Sequence, residues 1–79
     1  MTTPYEIKIA PAAYRQFLHL PPKTQKDLIK MLEALSINPR PPGAKKIDGL
    51  TGLYTDALNN VRLIYKIEDQ VVFLLLIKQ

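Results

Sequence analysis

The sequence predicts an α+β domain: a small, largely antiparallel four-stranded sheet with an N-terminal helical hairpin packed on one face, in the order β-α-α-β-β-β. Three observations carry this expectation. Two stretches of helical periodicity meet at Pro21-Pro22, two short runs of strand-forming residues flank Asn59-Asn60, and an unbroken apolar run covers 71–77. With 79 residues the chain has room for one domain, 1–79, and one core. A core of that size leaves a stability of roughly 5 kcal/mol.

Taken in order, Tyr5-Glu6-Ile7-Lys8-Ile9 alternates apolar and polar side chains, the pattern of a half-buried strand. Pro11 suits the first turn of a helix, where its missing N–H costs nothing. Ala13, Phe17 and Leu20 then fall on one helical face. Pro21-Pro22 ends that helix, because neither residue can donate and the position before a proline avoids helical geometry. A second helix spans about 23–36, with Leu28, Met31, Leu32 and Leu35 as its apolar stripe and Lys23, Lys26 and Lys30 on solvated surface.

The stretch 38–52 holds three prolines and three glycines and reads as a stiff loop without regular structure. Beyond it, 53–58 and 61–67 form a hairpin about Asn59-Asn60, a pair able to take left-handed backbone angles. A two-residue turn sets Leu58 opposite Val61, Ala57 opposite Arg62, and Tyr54 opposite Tyr65. Tyr54, Asp56, Leu58, Val61, Leu63 and Tyr65 then share the face that packs on the helices. Arg62 and Lys66 fall on the other face, bordered by the loop carrying Arg40, Lys45 and Lys46. Glu68-Asp69-Gln70 makes the next turn, and the run 71–77, apolar without alternation, reads as a strand covered on both faces.

A net charge of +4 and a pI near 9.5 favour an acidic partner such as nucleic acid. The composition, 47% hydrophobic and 23% charged, excludes wholesale disorder. With no cysteine, neither a disulfide framework nor a thiolate metal site can form. No His/Asp/Glu grouping has metal-ligand spacing, and no glycine-rich phosphate loop is present. The longest apolar run is too short to cross a bilayer and no signal peptide is apparent, so a cytoplasmic location without membrane contact is expected. His19, the one residue with an ordinary pKa near neutrality, is placed at the end of the first helix, away from the Arg62 face.

Several of these pieces fall in a telling order: Asn38-Pro39-Arg40-Pro41-Pro42-Gly43, Lys45-Lys46-Ile47, Gly49, Leu53-Tyr54, Arg62-Leu63-Ile64-Tyr65, and Ile67 before Glu68-Asp69. Their order and spacing, over about 4–78, resemble the RelE/ParE superfamily, the toxins of bacterial type II toxin–antitoxin pairs. The resemblance implies a compact toxin neutralised by a cognate antitoxin. In the RelE-like branch it implies inhibition of translation, by ribosome-dependent cleavage of messenger RNA through attack of a 2′-hydroxyl on the adjacent phosphate. Such an endoribonuclease works without metal or cofactor, using proton carriers and cations around the scissile phosphate.

Carried over residue by residue, the resemblance leaves Arg62 as the catalytic position, with Arg40, Lys45, Lys46 and Lys66 as RNA-binding cations. Thr55 and Ala57 occupy the two positions where the family's first hairpin strand is basic, and the sequence ends before the family's C-terminal basic and tyrosine segment. The expected activity is therefore attenuated. Two other readings stay open: a catalytically degenerate module of the same fold that binds an antitoxin or gyrase, and a basic RNA-binding domain outside toxin biology.

Overall fold

A computed structural model describes residues 4–41, 43–47, 49 and 52–79; Pro42 of the proline run lies outside the described residues. The element order is β1 (Glu6–Ile9), α1 (Pro11–Leu18), α2 (Pro22–Ile37), β2 (Lys45–Lys46), β3 (Leu53–Leu58), β4 (Val61–Glu68) and β5 (Val71–Lys78). The strands form one sheet in the order β1-β5-β4-β3-β2. β1 runs parallel to β5, and every other pairing is antiparallel. The α+β architecture is as expected, but the sheet is mixed and has five strands. The additional strand lies in the stretch read as a pure loop, where Lys45 and Lys46 pair with Thr55 and Tyr54. A two-residue edge strand of lysines has no apolar alternation by which a sequence pattern could announce it.

The helices follow their proline signals. Ala10, in extended geometry, precedes Pro11 at the first position of α1, and Pro22 likewise opens α2. Gln25 of α2 reaches back across the turn, and its side-chain amide donates to the carbonyls of Phe17 (3.0 Å) and Leu20 (3.1 Å). Those carbonyls stand at the end of α1, where intrahelical partners run out. The main-chain N–H of Tyr5 donates to Ser36 at 2.6 Å, tying the end of α2 to the entry of β1.

One face of the sheet packs on the helical hairpin. Ala13, Leu20, Leu28, Leu32 and Leu35 from the helical segment meet Val61, Leu63, Tyr65, Ile67, Val72, Leu74 and Ile77 from β4 and β5. The hairpin register is as expected, with Leu58 opposite Val61, Ala57 opposite Arg62 and Tyr54 opposite Tyr65. Asn59 takes the left-handed backbone its turn requires, at φ +56°, and Asp69 does the same at φ +54° before β5. Gly52, at φ +76°, brings the start of β3 so close to β4 that a Cβ there would lie 3.0 Å from the Ile67 carbonyl. The Ile67 N–H donates to the Gly52 carbonyl at 2.9 Å.

β5 departs from its expected cover on both faces. Val72, Leu74 and Ile77 are buried while Val71, Phe73, Leu75 and Leu76 are only half-buried, because the helices cover one side alone. The spacing of the buried positions changes from two to three at a β-bulge. Tyr65 pairs with Leu74 but Ile64 pairs with Leu76, which leaves Leu75 without a partner residue on β4.

Leu74 is fully buried between β1 and β4. Truncation by Leu74→Ala is expected to cost about 2–5 kcal/mol, comparable to the whole stability of a domain this small. Urea denaturation checks this: the midpoint should collapse or the variant should be unfolded without denaturant, whereas a midpoint within experimental error of wild type would contradict the packing described.

Candidate functional site

Alternation along β4 decides which side chains meet. Val61, Leu63, Tyr65 and Ile67 point into the core, so Arg62, Ile64, Lys66 and Glu68 point away from it. Pairing extends this open face in rows. Ala57, Arg62 and Lys78 stand side by side on β3, β4 and β5. The next row reads Lys45, Thr55, Ile64 and Leu76, and beyond it come Leu53, Lys66 and Phe73, with Lys8 beside Phe73. The face therefore has a half-apolar floor with cations around it. Lys8 lies 6.0 Å from the centre of the Phe73 ring, and Lys66 pairs with Glu68 at 3.0 Å.

Of the cations expected from the sequence, the register brings Arg62, Lys66 and Lys45 to this open face. It sends Lys46 to the opposite one, beside Tyr54. Arg40 lies there too. Its Nε donates to the Tyr54 hydroxyl at 3.0 Å and its guanidinium sits 5.4 Å from the centre of that ring. The hydrogen bond to Tyr54 holds the Arg40 guanidinium above its usual pKa. Tyr54 in turn stacks on Tyr65, with ring centres 5.9 Å apart. The buried Tyr65 hydroxyl donates to the Pro39 carbonyl at 2.9 Å. Two tyrosines thus clamp the proline loop against the core and fix where β2 begins.

A shallow hollow opens beside Arg62, lined also by Gly43, Lys45, Thr55, Asp56 and Ala57. Its depth follows from the short side chains of β3. Ala57 contributes no functional group, and the Thr55 hydroxyl donates to the Leu63 carbonyl at 3.0 Å. The Asp56 carboxylate accepts from the Ala57 N–H at 2.7 Å. What the hollow offers chemically is two cations with hydrogen-bond donors, Arg62 and Lys45, against the one Asp56 carboxylate, a balance suited to a phosphate rather than to an apolar ligand.

Lys78 is the residue that sequence reasoning missed. With Asn60, Arg62 and Gln79 it lines a second hollow on the other side of Arg62. The available signal was a conflict: continuing the alternation of Val72 and Leu74 would bury Lys78, and a lysine inside an apolar run points to a shifted register. His19 lines a separate hollow that does not include Arg62, with Gln16, Leu20, Ile77, Lys78 and Gln79 at the end of β5.

No protein-family model matches the sequence, and no curated protein matches it. Solved structures do. The archaeal RelE of the RelE–RelB complex from Pyrococcus horikoshii aligns with a TM-score of 0.86 at 25% identity, over 98% of this chain and 94% of that one. The RelBE2 toxin–antitoxin complex from Mycobacterium tuberculosis gives a TM-score of 0.83 at 25% identity, over 96% and 98%. The isolated RelE toxin of E. coli gives 0.84 at 24% identity, over 95% and 83%. The fold of the chain is that of the RelE superfamily.

The tyrosine clamp has an alkaline signature. Burial, with the nearby Asp56 carboxylate, pushes Tyr65 from 10.0 up to about 12. Between those values the folded state holds a proton that the unfolded chain has released, so stability falls as pH rises through that window. Tyr65→Phe removes this dependence and leaves the Pro39 carbonyl without its donor, an expected loss of about 1–3 kcal/mol at neutral pH. Denaturation at pH 7 and across the alkaline range, for both proteins, checks both statements; equal midpoints at pH 7 would show that the clamp does not hold the loop.

Proposed function

We infer that this chain is a RelE-superfamily toxin, the toxin half of a type II toxin–antitoxin pair whose partner is a cognate antitoxin. The single observation carrying the reading is the agreement of fold over nearly the full chain with proteins solved as toxins and as toxin–antitoxin complexes. The open sheet face adds chemical support. Its target would be ribosome-bound messenger RNA in the cytoplasm. No described helix is long and apolar enough to cross a membrane.

In this reading Arg62 holds the scissile phosphate and stabilises the charge that grows on it as the 2′-oxygen attacks. Lys45 borders the same hollow and Lys66 extends the positive field along the face. An exposed ion pair such as Lys66–Glu68 holds a side chain by about 1 kcal/mol or less, so RNA can recruit this lysine. Arg40 and Lys46 contribute positive potential from the opposite face of the sheet. No metal or cofactor enters the reaction.

One observation favours a weak enzyme or a binding-only member. At the two β3 positions where the resemblance calls for basic side chains, the chain has a threonine whose hydroxyl is already engaged and an alanine. Neither can shuttle a proton or carry charge to the phosphate, so attenuated cleavage is the expected outcome.

Induced expression in a bacterial host, wild type beside Arg62→Ala, tests the enzymatic reading. Growth arrest with new breaks in ribosome-bound messages is expected from wild type, and the cleavage rate should drop about 10²–10³-fold on removal of one transition-state donor. Normal growth with intact messages would leave only binding to an antitoxin.

A further inference from the structure

We propose that Lys78 is the second phosphate-holding cation of the Arg62 site, and that the bulge at Leu75 exists in the fold to put it there; this rests on the RNA-directed reading above. The register provides the argument. Arg62 and Lys78 are directly opposed across β4 and β5. Directly opposed residues of an antiparallel pair have Cβ atoms about 4.5–5.5 Å apart, so two long cationic side chains rooted there can grip one phosphate or two consecutive ones. Two cations in that relation repel and weaken the pair unless an anion lies between them. Among the described residues neither Arg62 nor Lys78 makes an ion pair. Asn60 and Gln79 complete their shared hollow, each with a side-chain amide that can donate to a phosphate oxygen. Two opposed cations set into one hollow, neither held in an ion pair among the described residues, form an anion site.

The bulge makes the arrangement specific to this register. Were Leu75 paired with Ile64, every residue beyond it would shift by one, Arg62 would face Ile77, and Lys78 would oppose Val61 on the core side. Inserting one unpaired residue sends Ile77 into the core, where it is 2% exposed, and brings Lys78 out beside Arg62. Arg62 then lies between two hollows, with Lys45 in one and Lys78 in the other. A single RNA strand laid across the row has its phosphate at Arg62 and a cation on either side.

Binding of a fluorescent single-stranded RNA oligonucleotide carrying 2′-O-methyl groups, which blocks cleavage, tests the assignment. Affinity is measured from 50 to 200 mM salt for wild type, Arg62→Gln, Lys78→Gln, Lys78→Arg and, on the exposed surface of α2, Lys30→Gln. Each lost phosphate contact lowers the slope of log K against log salt by about 0.7 for a single strand. Arg62→Gln and Lys78→Gln are each expected to lose that amount, with Lys78→Arg and Lys30→Gln keeping the wild-type slope. A Lys78→Gln slope equal to wild type, beside a reduced Arg62→Gln slope, would overturn the role of Lys78 and leave the RNA reading standing. An equal loss from Lys30→Gln would overturn it by making the binding non-local. Wild-type protein that fails to bind the RNA would overturn both together.

Discussion

The period-two alternation of β4 is the constraint on which the rest of the molecule depends. It is paired on both edges, and its four inward side chains, Val61, Leu63, Tyr65 and Ile67, are the middle of the core. Slipping either neighbour by one residue would exchange the apolar and polar faces of that neighbour. The core therefore holds the register, and the register holds Arg62 on the open face. Core packing and the facing of Arg62 are joined here through the geometry of one strand.

Two devices adapt that frame to a surface that can take an anion. The first is the tyrosine clamp. Its hydrogen bonds to Arg40 and Pro39 connect the proline loop to the core face of the hairpin, and the loop then delivers Lys45 to the edge of the sheet. Arg40 thus combines a positive charge with a bracing role, its guanidinium lying over Tyr54. The second is the bulge in β5, which reverses the facing of the last residues of that strand.

The chemistry available on the open face is lopsided. Charge stabilisation is well supplied by Arg62, Lys45 and Lys78, whereas a group able to carry a proton near neutrality is not part of the Arg62 row. Thr55 is engaged with the backbone and Ala57 is inert. His19 lies around the end of β5, sharing a hollow with Lys78 but on the helical side of the strand. A face with cations and few proton carriers binds a phosphodiester more readily than it cleaves one.

By itself the sequence determined what local rules can determine. Pro11 at the start of α1, the Pro21-Pro22 break between the helices, the apolar stripe of α2 and the Asn59-Asn60 turn were each legible from neighbouring residues, and the turn alone dictated the hairpin register that places Arg62 opposite Ala57. Tertiary structure decided what depends on residues far apart in the chain. Lys45–Lys46 becomes a strand only because β3 offers it an edge, and β1 pairs in parallel with β5 only after the helical hairpin has carried the chain across the sheet. Lys46 and Arg40 were separated from Arg62 by facing, which a list of basic residues cannot express. Lys78 joined Arg62 because one leucine sits unpaired, and which residue of the apolar run takes the bulge is not marked by any local turn signal. Burial of Ile77 in place of Lys78 favours a shift somewhere in the run, but Leu75 and Leu76 are alike in hydrophobicity, so the packing of the whole sheet decides where the unpaired residue falls.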